Sequence, residues 1–133
     1  VRAFNLDDTE GNLVAVVADA DGLAQNHKQR IAAAIGLPET AFVSGRAGND
    51  LRLECFGPDR PLATCGRAAI AAFSLLPGLG RIDDGWHSVE TAQGRRDIRS
   101  GQGEAWLALP TAKYAHVLAE SRTQRQIPLA LGI

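Results

Sequence analysis

The spacing of apolar positions changes along this chain from a period of two to a helical period and back, and these changes mark its predicted elements. Residues 1–4 and 13–17 are apolar runs on either side of a segment dense in turn formers, which predicts an N-terminal hairpin. From Gly22 the apolar spacing becomes helical, and Gly36 is placed to end that helix as a left-handed cap. The face predicted to be buried comprises Leu23, His27, Ile31, Ala34 and Ile35, and the face predicted to be exposed comprises Lys28, Gln29 and Arg30.

Further strands are predicted by alternation and by turn signals. The alternating run 51–56 follows a shorter strand at 41–43, and it places Cys55 on its apolar face, which predicts a buried and inert thiol. A three-stranded meander with glycine-containing turns is predicted over residues 87–91, 95–100 and 104–109. The last segment, 111–133, predicts either a C-terminal helix or an extended tail.

An alanine-rich segment between Thr64 and Pro77 predicts a helix that is apolar almost all the way round. Such a helix is normally enclosed by a sheet or a partner rather than laid on a wet surface. The order of strands, helix, strands, buried helix and strands therefore predicts an α+β fold, in which a twisted, mostly antiparallel sheet wraps around a central apolar helix. A single domain over residues 1–133 is expected from the length of the chain.

Composition and charge exclude several classes of function. The net charge is −1 and the basic residues are scattered, so the chain carries no electrostatic footprint for nucleic acid or an anionic membrane. The longest apolar run, 13–18, is far too short to span a membrane, and no leader-like pattern precedes it. We therefore expect a soluble, cytoplasmic protein that binds neither nucleic acid nor membrane.

The cysteine and histidine positions do not indicate a metal site. Two cysteines and three histidines are dispersed, and they lack the paired spacings that zinc or iron–sulfur sites require. We therefore expect no metal. In a cytoplasmic chain two free thiols are favoured over a disulfide, although the sequence leaves a Cys55–Cys65 bond open.

Candidate chemistry is concentrated where the apolar helix begins. The segment 64–72 is a polar turn with a thiol and a glycine that runs directly into the helix. Helix N-termini present unpaired N–H groups and a partial positive charge, so this turn is a pocket for a carboxylate or enolate oxygen. Upstream, Glu39 offers a base from a loop that leads into a strand. These segments together suggest a cofactor-free isomerase or epimerase site, or half of one.

Four segments, taken in order, resemble the N-terminal half of the PhzF phenazine biosynthesis family, which has the diaminopimelate epimerase fold. They are residues 11–17 for the family's GNP-x-AV strand, 37–43 for its L-x-ET-x-FV segment, 51–58 for its LR-x-FTP strand and turn, and 65–68 for its CGHA turn. The resemblance implies an epimerase-like half-barrel. It also implies that a second, similar half completes the site in a cleft, without a cofactor.

The resemblance implies roles for two residues as catalytic groups. Glu39 matches the family's acid/base glutamate, a role that needs a partly desolvated carboxyl, and this role is favoured over that of a solvated loop carboxylate. Cys65 stands where diaminopimelate epimerase and proline racemase carry a catalytic cysteine, and it is either a base or a small packing residue.

Substrate binding is assigned to the turn and its surroundings. The N–H groups of Gly66, Arg67 and Ala68 are candidates to hold a small carboxylate, which the Arg67 guanidinium would clamp. Asn12 either contacts the ligand or fixes its own turn, and the second role is favoured.

Two functions follow from these residues and from the departures of this chain from the family pattern. Arg67 replaces the family's histidine, Pro61 replaces an acidic residue, and Leu13 replaces the proline of GNP. The first hypothesis is an isomerase or epimerase that acts by proton transfer on a small carboxylate-bearing carbon acid. Its site would be completed by a homodimer or by a separate C-terminal-half chain. The alternative is a non-catalytic dimeric module for small-molecule binding or assembly.

Overall fold

The computed structural model describes residues 1–4, 11–45 and 51–111 of the chain. Within these ranges the helices are α1 (Gln25–Ile35) and α2 (Gly66–Leu75). The strands are β1 (Arg2–Ala3), β2 (Asn12–Leu13), β3 (Ala15–Val17), β4 (Thr40–Ser44), β5 (Leu51–Phe56), β6 (Pro61–Leu62), β7 (Gly85–Thr91), β8 (Gly94–Gly101) and β9 (Glu104–Leu107). The predicted helix or tail beyond Thr111 and the histidine at 116 lie outside the described residues.

The strands pair in a mixed but mostly antiparallel arrangement. The N-terminal hairpin is confirmed, because β1 pairs antiparallel with β2 and Arg2 lies opposite Leu13. The larger sheet has the order β3-β4-β5-β7-β8-β9. Strand β6 lies off this path and pairs with the end of β5, at Cys55 and Phe56, whereas β7 pairs with its beginning, at Leu51 and Arg52. The β3–β4 and β5–β7 pairs are parallel, and the other pairs of this sheet are antiparallel. The predicted meander is confirmed in β7, β8 and β9.

Helix α2 forms the centre of the core. It is composed mainly of alanine on the sides that face the sheet, so the strands can approach its backbone closely. Phe73 and Leu76 are fully buried, and they pack in one cluster with Val89 and Ile98 of the sheet. The helix ends before Pro77, as predicted. The predicted α+β architecture, with a curled sheet around an apolar helix, is confirmed.

Helix α1 packs on β4 and β5, and its buried face differs from the prediction. Gly36 does cap it in the left-handed conformation, with a φ of 72°. The buried residues are Lys28 and Ala32, whereas His27, Ala34 and Ile35, predicted to be buried, are exposed. Lys28 is buried because it forms an ion pair with Glu54 of β5, which apolar spacing cannot reveal. Neither helix in the described ranges has the length and apolar composition needed to cross a membrane.

Candidate active site

The end of the loop before β4 and the beginning of α2 lie side by side, and the predicted site residues come from these two places. Glu39 directly precedes β4, and its carbonyl oxygen accepts a hydrogen bond of 3.1 Å from the N–H of Ala15 in β3. Cys65 is the N-cap residue of α2, and Gly66 and Arg67 are its first two residues. The strand pairing and the helix therefore fix the backbone at both sides of the site.

Arg67 links the predicted site residues to one another. Its Nη2 donates a hydrogen bond of 2.8 Å to Glu39 Oε1, and its Nη1 lies 3.5 Å from Asn12 Oδ1. A cation at a helix N-terminus is opposed by the helix dipole, and the carboxylate of Glu39 offsets that repulsion. Arg67 thus bridges Asn12, the other side chain predicted to bind substrate, and the predicted base, Glu39.

The Glu39 carboxyl combines burial with an unused oxygen. Only 8% of the residue is exposed. Its Oε1 is held by Arg67, but its Oε2 is buried and has no hydrogen-bond partner among the described residues. Buried polar atoms are nearly always paired in proteins, so an orphaned carboxylate oxygen indicates a place where a proton or a ligand group can be received.

The two cysteines of the chain belong to one buried cluster, a proximity that the sequence left open. Cys55 is buried, as expected, and its thiol interacts with that of Cys65. The hydrogen bond from Cys55 holds the pKa of Cys65 below its usual range, although burial and the charge of Glu39 act in the opposite direction. The same hydrogen bond, together with burial, raises the pKa of Cys55. Cys65 is therefore the thiol that ionises first.

The first turn of α2 has donors available for an anion. The hydrogen bond from Ala69 N–H to Cys65 O, at 2.7 Å, starts the helical ladder. The N–H groups of Gly66, Arg67 and Ala68 precede it and are not used by the helix. The side chain of Ala68 is fully buried, so this residue can offer only its backbone. A Cβ placed on Gly66 would meet no atom within 4 Å, which shows that the turn borders open space.

A cavity of about 230 Å³ adjoins the other side of Cys65. Its polar lining includes Thr64, Thr91, Gln93 and Arg96, and Cys65 and Gly66 also line it. Glu39, Arg67 and Asn12 are not part of its lining. Arg96 was not predicted as a site residue; the alternation of β8 places it on the inward face, and this is the signal that could have identified it.

The two histidines among the described residues lie apart from this site. His27 is exposed on α1. His87 lies on the inward face of β7, where its ring packs against Phe73 and its Nε2 lies 2.9 Å from the carbonyl oxygen of Asp83. Among the residues that the structure describes, no group of three or more His, Cys, Asp or Glu side chains is placed to hold a metal ion.

Comparisons with known sequences agree on one family. Residues 1–129 match the profile of the family described as phenazine biosynthesis-like protein, PhzC-PhzF. The chain is 34% identical to an uncharacterized isomerase of Deinococcus radiodurans, in a match that covers all of this chain and 44% of that protein. It is 31% identical to the uncharacterized isomerase YfhB of Bacillus subtilis, over 70% of this chain and 32% of that protein. The chain thus spans less than half the length of these relatives.

Solved structures show the same relationship. A PhzF family phenazine biosynthesis protein of Bacillus anthracis is 31% identical and superposes with a TM-score of 0.70, over 80% of this chain and 37% of that one. A predicted epimerase of Pseudomonas aeruginosa shares the fold, with 23% identity and a TM-score of 0.64, over 74% of this chain and 36% of that one. The diaminopimelate epimerase-like fold predicted from the sequence is confirmed.

Proposed function

The chain belongs to the phenazine biosynthesis-like family PhzC-PhzF, and from this premise we propose that it moves a proton on a small carboxylate-bearing carbon acid, without a cofactor. The predicted resemblance to the N-terminal half of PhzF proteins is confirmed. Relatives named as isomerases support an isomerase- or epimerase-like kind of protein. The finer assignment, to proton transfer at a named group, rests on the geometry around Glu39.

The observation that carries the proposal is the buried, unpartnered Oε2 of Glu39. Arg67 holds Oε1 and so fixes the orientation of the carboxylate, while burial keeps bulk water from competing for Oε2. A base held in this way takes a proton from a carbon next to the substrate carboxylate and returns it to the same or another carbon. In this proposal Arg67 remains bound to Oε1 while Oε2 receives and returns the proton.

The negative charge that develops on the substrate needs donors nearby. The N–H groups at the start of α2, at Gly66, Arg67 and Ala68, supply them beside Cys65. The Arg67 guanidinium adds further N–H groups, although one already binds Glu39. In this proposal Cys65, whose pKa is lowered, acts as the second proton-transfer group.

A second lobe is proposed to close the site. Asn12, Gly66 and Arg67 are all exposed, so the donor side of the site borders solvent in the single chain. The relatives are more than twice as long as the part that this chain matches. We propose that a second copy of the chain, or a C-terminal-half sequence, covers this side and excludes water.

Hydrogen exchange tests the proposed reaction class. The protein is incubated in D₂O with a panel of small amino and hydroxy acids, and proton NMR follows the signal of the C–H next to each carboxylate. We expect protein-dependent loss of that signal for at least one acid, because proton return from a carboxyl equilibrated with D₂O delivers deuterium. Calorimetric titration of the same panel measures binding independently. Binding of one or more acids with no exchange in any of them would contradict the proposed reaction.

One observation favours the alternative, a non-catalytic binding module. Arg67 stands where the family pattern has histidine, and its ion pair with Glu39 ties the predicted base to a permanent cation. A pair of this kind would recognise a ligand with both a carboxylate and an ammonium group without reacting with it. Binding without exchange across the whole panel is the result that this alternative predicts.

A further inference from the structure

Cys55 and Cys65 form a pair of buried thiols where β5 meets the start of α2. Their exposed fractions are 3% and 8%, and both are free thiols. Strand β6 folds back antiparallel on β5, so Leu62 lies opposite Cys55, and the chain reaches Cys65 three residues later. This return brings both cysteines into one cluster of buried side chains, where each thiol shifts the pKa of the other.

The two thiols differ in their surroundings. Cys65 caps α2, where the helix N-terminus stabilises negative charge, and it lines the cavity that contains Arg96. Cys55 lies in the strand and lines a separate cavity of about 230 Å³ with Leu62 and Thr91. The position of Cys65 at the N-terminus of α2 makes it the nucleophile of the pair, and the lowered pKa of Cys65 and the raised pKa of Cys55 agree with this assignment.

We propose that Cys55 and Cys65 form a reversible intramolecular disulfide when the protein is exposed to a hydroperoxide. The Cys65 thiolate attacks one peroxide oxygen, the O–O bond breaks, and hydroxide leaves, which oxidises Cys65 to a sulfenic acid. The Cys55 sulfur then attacks the Cys65 sulfur, and the S–O bond breaks as water leaves. Overall, two thiols and one hydrogen peroxide give one disulfide and two waters, and a dithiol reductant restores both thiols.

The position of the pair favours this outcome over further oxidation. The resolving thiol lies in the same buried cluster as the reactive one, so the sulfenic acid meets a thiol before it meets a second peroxide. Bond formation requires the two sulfurs to approach to about 2.05 Å. The loop that the bond would close includes β6, which is only two residues long and is attached only to β5 in the described sheet.

Oxidation of the two thiols would also stop the proposed proton transfer, a consequence that rests on the proposed function. A disulfide removes the Cys65 thiolate from the start of α2, so proton transfer that needs it would stop until the bond is reduced. The formation of the bond itself requires no substrate and no activity. The disulfide and the proton-transfer proposal can therefore fail independently.

Peptide mapping of the full chain tests the disulfide. The reduced protein is treated with a small excess of hydrogen peroxide, alkylated with iodoacetamide in guanidinium chloride so that buried thiols can react, and digested with trypsin without reduction. Trypsin cleaves after Arg52 and Arg67 but not at the Arg60–Pro61 bond, so both cysteines lie in the single peptide 53–67. We expect this peptide to be unalkylated and about 2 Da lighter than the dithiol form, by loss of two hydrogens. Dithiothreitol should restore both alkylation sites.

Single variants separate the roles of the two thiols. In C55S, peroxide should give a sulfenic acid at Cys65 that dimedone traps, whereas in C65S the remaining thiol should stay alkylatable. Wild-type protein that keeps two alkylatable thiols after peroxide would overturn the proposal. It would also be overturned by sulfinic acid at Cys65 without a crosslink, or by a disulfide between two chains. The wild-type map decides the question even if a variant fails to fold.

Discussion

At the scale of single residues, the contact between Arg67 and Glu39 determines the arrangement of the proposed site. Sequence analysis predicted that both residues belong to the site and that Arg67 binds the carboxylate of a ligand. In the structure, Arg67 instead forms an ion pair with Glu39, a carboxylate of the chain itself. These two residues are 28 positions apart, and Arg67 and Asn12 are 55 apart. Local spacing cannot predict such contacts. The family resemblance could place the residues in one site because it is a statement about the whole fold.

Only part of the arrangement of the two thiols was predictable from the sequence. Alternation along β5 correctly predicted that Cys55 is buried, since burial follows from the face that it shares with Leu51 and Leu53. Its contact with Cys65 depends on the path of the loop and β6 between them, which has no periodic signature. The prediction that Cys55 is inert could not take account of a partner that this path brings into place.

Alkylation rates test the difference between the two thiols. Cys65 should react with iodoacetamide about tenfold faster than Cys55 at neutral pH, because only the thiolate reacts and the pKa of Cys65 is lowered while that of Cys55 is raised. As the pH falls, the labelling rate of Cys65 should decline only below the pH range in which an ordinary thiol becomes protonated. Timed quenching and peptide mapping give both rates. Faster labelling of Cys55 would show that the assignment is reversed.

At the scale of elements, the ion pair between Lys28 and Glu54 joins α1 to β5. The side chains are 6% and 19% exposed, and Gln25 also donates to Glu54. The apolar pattern of α1 predicted the wrong face at Lys28 because a buried cation is stabilised by a residue on another element. The helix boundaries and the Gly36 cap were predictable, since they depend on residues close in sequence.

A double-mutant cycle measures what this pair contributes. K28M keeps most of the apolar stem but leaves the Glu54 carboxylate without its cation, so we expect the free energy of unfolding to fall by about 3 kcal/mol. The double variant K28M/E54L removes both charges and should recover most of that loss. Urea unfolding of the wild type, K28M, E54L and K28M/E54L gives the coupling free energy between the two side chains. If the losses in K28M and E54L add up to the loss in the double variant, the ion pair contributes nothing to the stability of the fold.

Acid stability reports on the same contact. Burial opposes ionisation of Glu54, but hydrogen bonds from Lys28 and Gln25 outweigh it and hold its pKa below the usual range. A carboxyl whose pKa is lower in the folded state stabilises the fold above its unfolded pKa of about 4.3, and this contribution is lost as the pH falls through the folded value. E54Q should therefore show a shallower decline in stability between about pH 5 and pH 3. Urea unfolding across that range provides the slopes, and parallel slopes would contradict the assignment.

At the scale of the whole molecule, the curled sheet and α2 form a half-barrel. The edge that carries the N–H donors of Gly66 and Arg67 is exposed to solvent. The fold class was predictable because a helix that is apolar all round must be enclosed, and the strand predictions supplied enough sheet to enclose it. The parallel pairs β3–β4 and β5–β7 are each joined by a connection that contains a helix, α1 in the first case and α2 in the second. Parallel strands need a crossover connection of this kind, and the sequence analysis did not use that signal.

The assembly state tests whether a second copy closes the site. If the chain completes its own site, light scattering after size exclusion should give twice the 14.1 kDa mass of one chain. The same fraction should carry any exchange activity, because each copy would cover the exposed Gly66 and Arg67 edge of the other. A particle with the mass of one chain that still exchanges protons would show that no second lobe is needed.

The most direct test of the account is the rate of solvent deuterium incorporation in E39Q, with E104Q as the matched control. The E39Q amide can still accept a hydrogen bond from Arg67 but cannot take up a proton, whereas Glu104 is exposed on β9. We expect exchange into the responsive acid to fall at least about 100-fold in E39Q and to be unchanged in E104Q. An E39Q protein that is folded and exchanges at the wild-type rate would contradict the central role of the buried Glu39 oxygen.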